Sequence, residues 1–144
     1  MLLAKHFDRM WRRHGASEES MLVAQGNLSN TYEALGRFED SLRLRQEVYT
    51  GYLKFAGVEH PPTLRAGNNY AIHLLELQRF KEAKRVLRKV TPVAQRVLGT
   101  ENDITLSLRE DLSRATLDGE SSAEEKREAL RVLEDVAGVR RRVL

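Results

Sequence analysis

"GVEHPPTLRAGNNYAIHLLELQRFKEAKRVLRKVTPVAQRVLG", Gly57 to Gly99, opens and closes on glycines 42 residues apart, and Gly15 stands 42 residues before the first of them. The same offset joins Leu22, Leu64 and Leu106, and it joins Asn27, Asn69 and then Asp111. It also joins Arg37-Phe38 with Arg79-Phe80, Thr63 with Thr105, and Val48 with Val90. Agreement at glycine, polar and apolar positions together marks a repeated structural unit. A further copy follows at an offset of 46, aligning Ala83 with Ala129, Val97 with Val143 and Leu98 with Leu144. The added residues fall around "DGESS", Asp118 to Ser122, which has loop composition. At the other end Leu2, Phe7 and Met10 match Leu44, Tyr49 and Tyr52. The chain is thus expected to be one domain, 1–144, built from a half repeat 1–15 and repeats 16–57, 58–99 and 100–144.

Each unit reads as two helices. Leu64, Tyr70, Ala71, Leu74 and Leu77 recur on one face of a 3.6-residue turn, and Phe80, Ala83, Val86, Leu87, Val90, Ala94, Val97 and Leu98 form a second stripe. Gly57 is expected to stop a helix, because glycine accepts positive φ. His60 or a neighbour then caps the next helix, with Pro61 and Pro62 in the first turn, where N–H groups have no helical partner. Asn102 holds the equivalent position in the following copy and is a good N-cap residue. Pro92 lacks an N–H and is expected to kink or loosen its helix. A lone helical hairpin of this length buries only part of its apolar surface, so the units must stack. The expected fold is all-α, with about seven helices.

Composition narrows the function. The 144 residues include no cysteine, which excludes disulfides and thiolate metal sites. Against 24 basic residues stand 21 acidic ones, and the densest basic run is the short Arg140-Arg141-Arg142. Nucleic-acid binding needs a more concentrated patch, so none is expected. No apolar run approaches the roughly 20 residues of a membrane span, and Met1 to Ala4 is too short for a signal-peptide core. No membrane association and a cytoplasmic location are expected. His6, His14, His60 and His73 do not pair at the i, i+4 spacing of a helical zinc site, and no phosphate loop is present. Glu39 with Asp40, and Glu124 with Glu125, lie at helix starts, where the macrodipole favours carboxylates. No catalytic set, metal or cofactor is expected.

The repeat resembles the tetratricopeptide repeat in the 42-residue form of kinesin light chain. "NLSNTYEALGRFEDS" carries Asn27, Leu28, Ser29, Tyr32, Gly36, Phe38 and Ser41 at the family's positions, and "NYAIHLLELQRFKEA" carries Asn69, Tyr70, Ala71, Leu74, Gln78, Phe80 and Ala83. "FAGVEHPPTL" and "VLGTENDITL" are similar to the family's linker. The resemblance implies a right-handed superhelical solenoid of antiparallel helix pairs. It also implies a concave groove lined by each unit's first helix, where a protein or peptide partner would bind. The groove candidates are Asn30 and Glu33, then Arg65, Asn68, Asn69, Ile72 and Leu75, then Arg114. Arg65 would pair with an acidic residue, Asn68 would hold peptide backbone, and Ile72 and Leu75 would supply an apolar patch. Phe38, Phe80, Tyr32 and Tyr70 match packing positions. Asn27 and Asn69 are expected to be buried between helices with their amides satisfied. Chaperone-binding members hold a terminal carboxylate through Lys, Asn, Asn, Lys and Arg. The matching positions here are Gly26, Asn30, Asn69, Ser107 and Asp111, which lack all three cations, so no such clamp is expected.

Two functional readings follow. One is a non-catalytic interaction scaffold that binds a peptide in the groove. The other is a structural segment of a larger repeat array, self-associating through uncapped ends. Leu2 and Leu3 at one end, and Val143 and Leu144 at the other, are apolar where a free solenoid needs a polar cap. Trp11 would cover the leading end of the stack, or stand as an exposed anchor for a preceding unit or a partner.

Overall fold

The computed structural model describes residues 18–143. The half repeat 1–15, with Gly15, Trp11, Leu2, Leu3, His6 and His14, lies outside the described residues, as does Leu144. Six helices follow in order: α1 (Glu18–Ala34), α2 (Phe38–Ala56), α3 (Pro61–Glu76), α4 (Phe80–Leu98), α5 (Asp103–Asp118) and α6 (Ala123–Val143). No strand occurs among the described residues. None of these helices is long and apolar enough to cross a membrane. They fall into two compact units that divide between Phe55 and Ala56.

The first unit holds the antiparallel pair α1 and α2. Gly51 on α2 lets Leu22 of α1 approach so closely that a β-carbon there would sit 2.5 Å from a Leu22 methyl. Ser29 and Ser41 occupy the small-residue positions at full burial. Ser29 Oγ donates to the Gly26 carbonyl at 2.6 Å, whereas Ser41 Oγ has no hydrogen-bond partner. Phe38, expected in the packing, is 49% exposed. It is the first residue of its helix, so only one side of it has neighbouring turns to pack on.

The second unit packs α3 on α4, α4 on α5, α5 on α6, and α3 on α5. Leu64 and Leu106, equivalent by the repeat, are both in the core, as are Val90 and Val136 at the next offset. Ala71, Ala83 and Ala129 fill the small-residue positions there. Leu106, Val136, Val139 and Val132 form a cluster between α5 and α6. Thr105 Oγ1, itself buried, donates to the Ala94 carbonyl at 3.3 Å and ties α5 to α4.

The turns follow backbone chemistry. The N–H of Gly36 bonds the Glu33 carbonyl at 3.0 Å and that of Arg37 bonds the Tyr32 carbonyl at 2.8 Å. One repeat later, Gln78 bonds Leu75 and Arg79 bonds Leu74 at the same two distances. Both are Schellman closures, which need a left-handed residue after the helix. Glycine supplies it at Gly36, but Gln78 is forced to φ 60. Gly57 and Gly99 close their helices at φ 85 and φ 89.

His60 stands at the N-cap with extended backbone, Pro61 and Pro62 follow in the first turn, and the imidazole makes no capping bond. Its backbone carbonyl instead accepts from the N–H of Thr63 and of Leu64. Asn102 caps α5 through its side chain, which accepts from Ile104 N–H at 2.9 Å. Ser122 and Glu125 reciprocate as a capping box on α6 and hold the Glu125 carboxyl below its usual range. The helix containing Pro92 runs unbroken from Phe80 to Leu98.

Candidate interaction surface

Helix α3 decides what surface the second unit can offer. Leu64, Ala71 and Leu74 are completely buried, and they set the inward direction. Side chains four residues on share that face, because they sit only about 40° further round the helix. Asn68 and Leu75 stand in that relation to Leu64 and Ala71, and both are 8% exposed. The sequence reading placed them on the open groove, and the structure corrects it. Asn68 has its Oδ1 buried with no hydrogen-bond partner, and Leu75 belongs to the core.

The opposite correction applies to Asn69 and Asn27. Each was expected to be buried between helices, and each is exposed. Asn69 lies five residues from both Leu64 and Leu74, which turns it away from the core. The outward stripe of α3 is therefore Arg65, Asn69, Ile72 and Glu76, at spacings of four, three and four. Arg65, Asn69 and Glu76 are exposed, and Ile72 is half-buried. Arg65 makes no ion pair among the described residues. His73, beside the stripe, lies against the Asn69 carbonyl, with its Nδ1 2.8 Å away.

On α5, which packs beside α3, Arg114 is exposed, with its Nη1 3.6 Å from Asp111 Oδ1. Asp111 itself is 5% exposed. Burial pushes its carboxyl up to about 6, Arg114 pulls it down, Glu110 raises it and Arg140 lowers it. Ser107 and Glu110, one turn apart, are held by Arg140 of α6, which also reaches Asp103 at 2.9 Å. This network pins the end of α6 onto α5. Sequence reasoning missed it, because an arginine in a terminal basic run gives no sign of its partners.

In the first unit, Asn30 and Glu33 of α1 are tied to Arg45 of α2. The guanidinium donates to Asn30 Oδ1 and lies 3.4 Å from Glu33 Oε2. Arg45 is 9% exposed, so these two groove candidates partner a buried cation through its Nη2, while its Nε has no hydrogen-bond partner. Arg37 lies 4.4 Å over the Tyr32 ring, which accounts for that aromatic beside the turn.

The sequence profile of the tetratricopeptide repeat family matches residues 20–96. Among solved structures, the chain is similar to a kinesin light chain protein of Podosopora anserina with nearly identical TPR-like repeats. That match has a TM-score of 0.69 and 24% identity over 86% of this chain and 57% of the other. BtubC (BKLC) from P. vanneervenii matches with a TM-score of 0.57 and 12% identity, over 88% of this chain and 66% of that one. The chain thus spans a little over half the length of the first structure, and at these identities the likeness concerns the fold. No curated protein sequence matches it. More than half of the chain fits the repeat profile, its helices form the pairs that profile describes, and the chain belongs to the tetratricopeptide repeat family.

Proposed function

We propose that the chain is a non-catalytic interaction scaffold and that the outward stripe of α3 binds a peptide segment of a partner protein, with Arg114 contributing from α5. Repeats of this family generally mediate protein–protein interactions. The observation that carries the reading is the stripe itself, which sets a cation, an amide, a half-buried apolar group and an anion at helical spacing. Arg65 would meet an acidic residue, and the Asn69 amide would pair with peptide backbone. Ile72 would receive an apolar side chain. Charge pairing of this kind chooses the partner and guides its encounter. The alternating spacing of four, three and four residues lays these side chains along one face, which suits an extended or helical peptide lying along the helix.

A peptide library selected on the whole chain tests the proposal. Selected peptides should carry acidic residues beside an apolar one, and Arg65→Glu should weaken them at least about tenfold, since reversing a central charge replaces attraction with repulsion. Arg127→Glu, on the exposed surface of α6, should leave affinity unchanged. Equal affinity for the wild type and Arg65→Glu would remove α3 from the account.

Self-association is a second reading, favoured by Leu130 and Val143 of α6, which are 51% and 50% exposed. Apolar residues on the last described helix could stack on another repeat. A strictly monomeric light-scattering mass across the accessible concentration range would count against it, and Leu130→Glu should abolish any dimer seen.

A further inference from the structure

A cleft of about 890 Å³ lies between the start of α4 and the turn that joins α5 to α6, and it shares no residue with the α3 stripe. Its size falls in the usual range for small-ligand sites, about 300–1,000 Å³. Five cations and three carboxylates line it, a surplus of two positive charges. Two of the cations are matched, Arg79 with Glu82 at 2.8 Å and Arg88 with Glu125 at 3.8 Å. Lys81, Lys84 and Arg85 make no ion pair among the described residues, and only Glu120 is left to balance them.

Lys84 differs from the other cations. It is 9% exposed, so its charge is largely withdrawn from water. Its Nζ donates to the Glu120 carbonyl at 2.9 Å and to Ser121 Oγ at 2.6 Å, both neutral oxygens. An ammonium has three protons to donate, and these bonds use two. A buried cation without a counter-ion is unfavourable, and its field is screened less than that of a surface charge. Of the cleft's carboxylates, Glu82 and Glu125 are engaged by Arg79 and Arg88, and Glu120 meets Lys84 only through its backbone carbonyl.

The cations share one face. Lys81, Lys84, Arg85 and Arg88 follow at i, i+3, i+4 and i+7 along α4. Lys81 and Arg85 are exposed, so their long side chains can close on a bound group, while Lys84 holds a fixed charge at the wall. Phe80, half-buried, adds an apolar surface beside them. A surplus of two positive charges matches one phosphate monoester, which carries about two negative charges at neutral pH. A carboxylate would neutralise half of it, and a neutral molecule none. Arginine and lysine both suit phosphate, as a hydrogen-bonding fork and as a point charge.

We infer that this cleft binds a small phosphate monoester, with the phosphate held by Lys81, Lys84 and Arg85 and the body of the ligand against Phe80. The inference stands independently of the peptide-binding stripe.

The test is titration of the isotope-labelled full chain at pH 7.5 and constant ionic strength, followed by amide NMR, with phenyl phosphate, benzoate and phenol as probes. The three share a ring and carry about two, one and no negative charges. Phenyl phosphate should give saturable shifts at Lys81, Lys84, Arg85 and Gly119. It should bind at least about tenfold more tightly than benzoate, the gain from one further charge-assisted hydrogen bond, and phenol should leave these amides unmoved. The double variant Lys81→Ala, Arg85→Ala alters exposed side chains only. Its spectrum should show an intact fold, and its affinity for phenyl phosphate should fall at least about tenfold. Lys84→Met should weaken binding as much, and the double variant decides the question if Lys84→Met does not fold. Arg127→Ala removes an exposed arginine outside the cleft and should leave the affinity unchanged. The inference is overturned if phenyl phosphate leaves these amides unmoved, if benzoate or phenol binds as tightly, or if the double variant binds phenyl phosphate undiminished.

Discussion

Replacing Asp111 with asparagine should make the protein more stable at neutral pH, although it removes an ion-pair partner of Arg114. Asp111 is 5% exposed, and burial is the largest influence on its carboxyl, raising it from 3.8 to about 6. Arg114 lowers it but is mostly exposed, so its attraction is weakened by solvent. A carboxyl that titrates at about 6 when folded and 3.8 when unfolded holds its proton more tightly in the folded protein. The two states then bind protons equally above about 6 and again below 3.8, and between those limits stability rises as pH falls. The difference of about two pH units, at about 1.4 kcal/mol each, makes the ionised group cost about 3 kcal/mol at pH 7.5. Asparagine keeps the shape without the charge. Urea unfolding of wild type and Asp111→Asn should therefore differ by up to about 3 kcal/mol at pH 7.5 and by little near pH 4. Other carboxylates titrate in both proteins and cancel in the comparison. An asparagine variant no more stable than wild type at pH 7.5 would refute the reasoning, as would a carboxyl that NMR finds titrating below 4.

Gln78→Gly should stabilise the chain by about 1 kcal/mol in urea unfolding, because Gln78 is held at φ 60 in a closure where the preceding repeat uses glycine. Ser41→Ala should be neutral or stabilising by up to about 1 kcal/mol, since its buried hydroxyl is unpartnered, whereas Ala71→Leu should cost about 1–3 kcal/mol by overpacking a completely buried position. Both are read from thermal or urea midpoints. Arg140→Met should destabilise by about 1 kcal/mol, with the loss shrinking in high salt, because Arg140 joins Asp103, Ser107 and Glu110 at a partly exposed junction.

The periodic parts of this fold were legible in the sequence. Leu64 and Leu106 repeat because each fills the same place between helices, and small residues recur at Ser29 and Ala71, and at Ser41, Ala83 and Ala129, because those positions are buried where the helices meet. Asn102 was readable as a cap because its side chain needs only its own backbone two residues on. The surface of α3 was harder to read. That helix packs against both α4 and α5, so its buried arc is wider than a single stripe and takes in Asn68 and Leu75. The exposed Asn69 and the buried Asp111 occupy the same repeat position. Equivalent spacing therefore did not give equivalent burial, because the burial of each depends on its own neighbours. The tie from Arg45 to Asn30 and Glu33, and that from Lys84 to Glu120 and Ser121, depend on contacts between elements and left no local signal.

The central claim is that α3 presents the binding face. It is tested most directly by amide NMR mapping of a library-selected peptide on the labelled chain. The account predicts shifts centred on Arg65, Asn69, Ile72 and Glu76, fading in Arg65→Glu while the variant's spectrum otherwise matches wild type. Shifts confined to α6 or α4 with α3 unperturbed, or an undiminished response in Arg65→Glu, would contradict it.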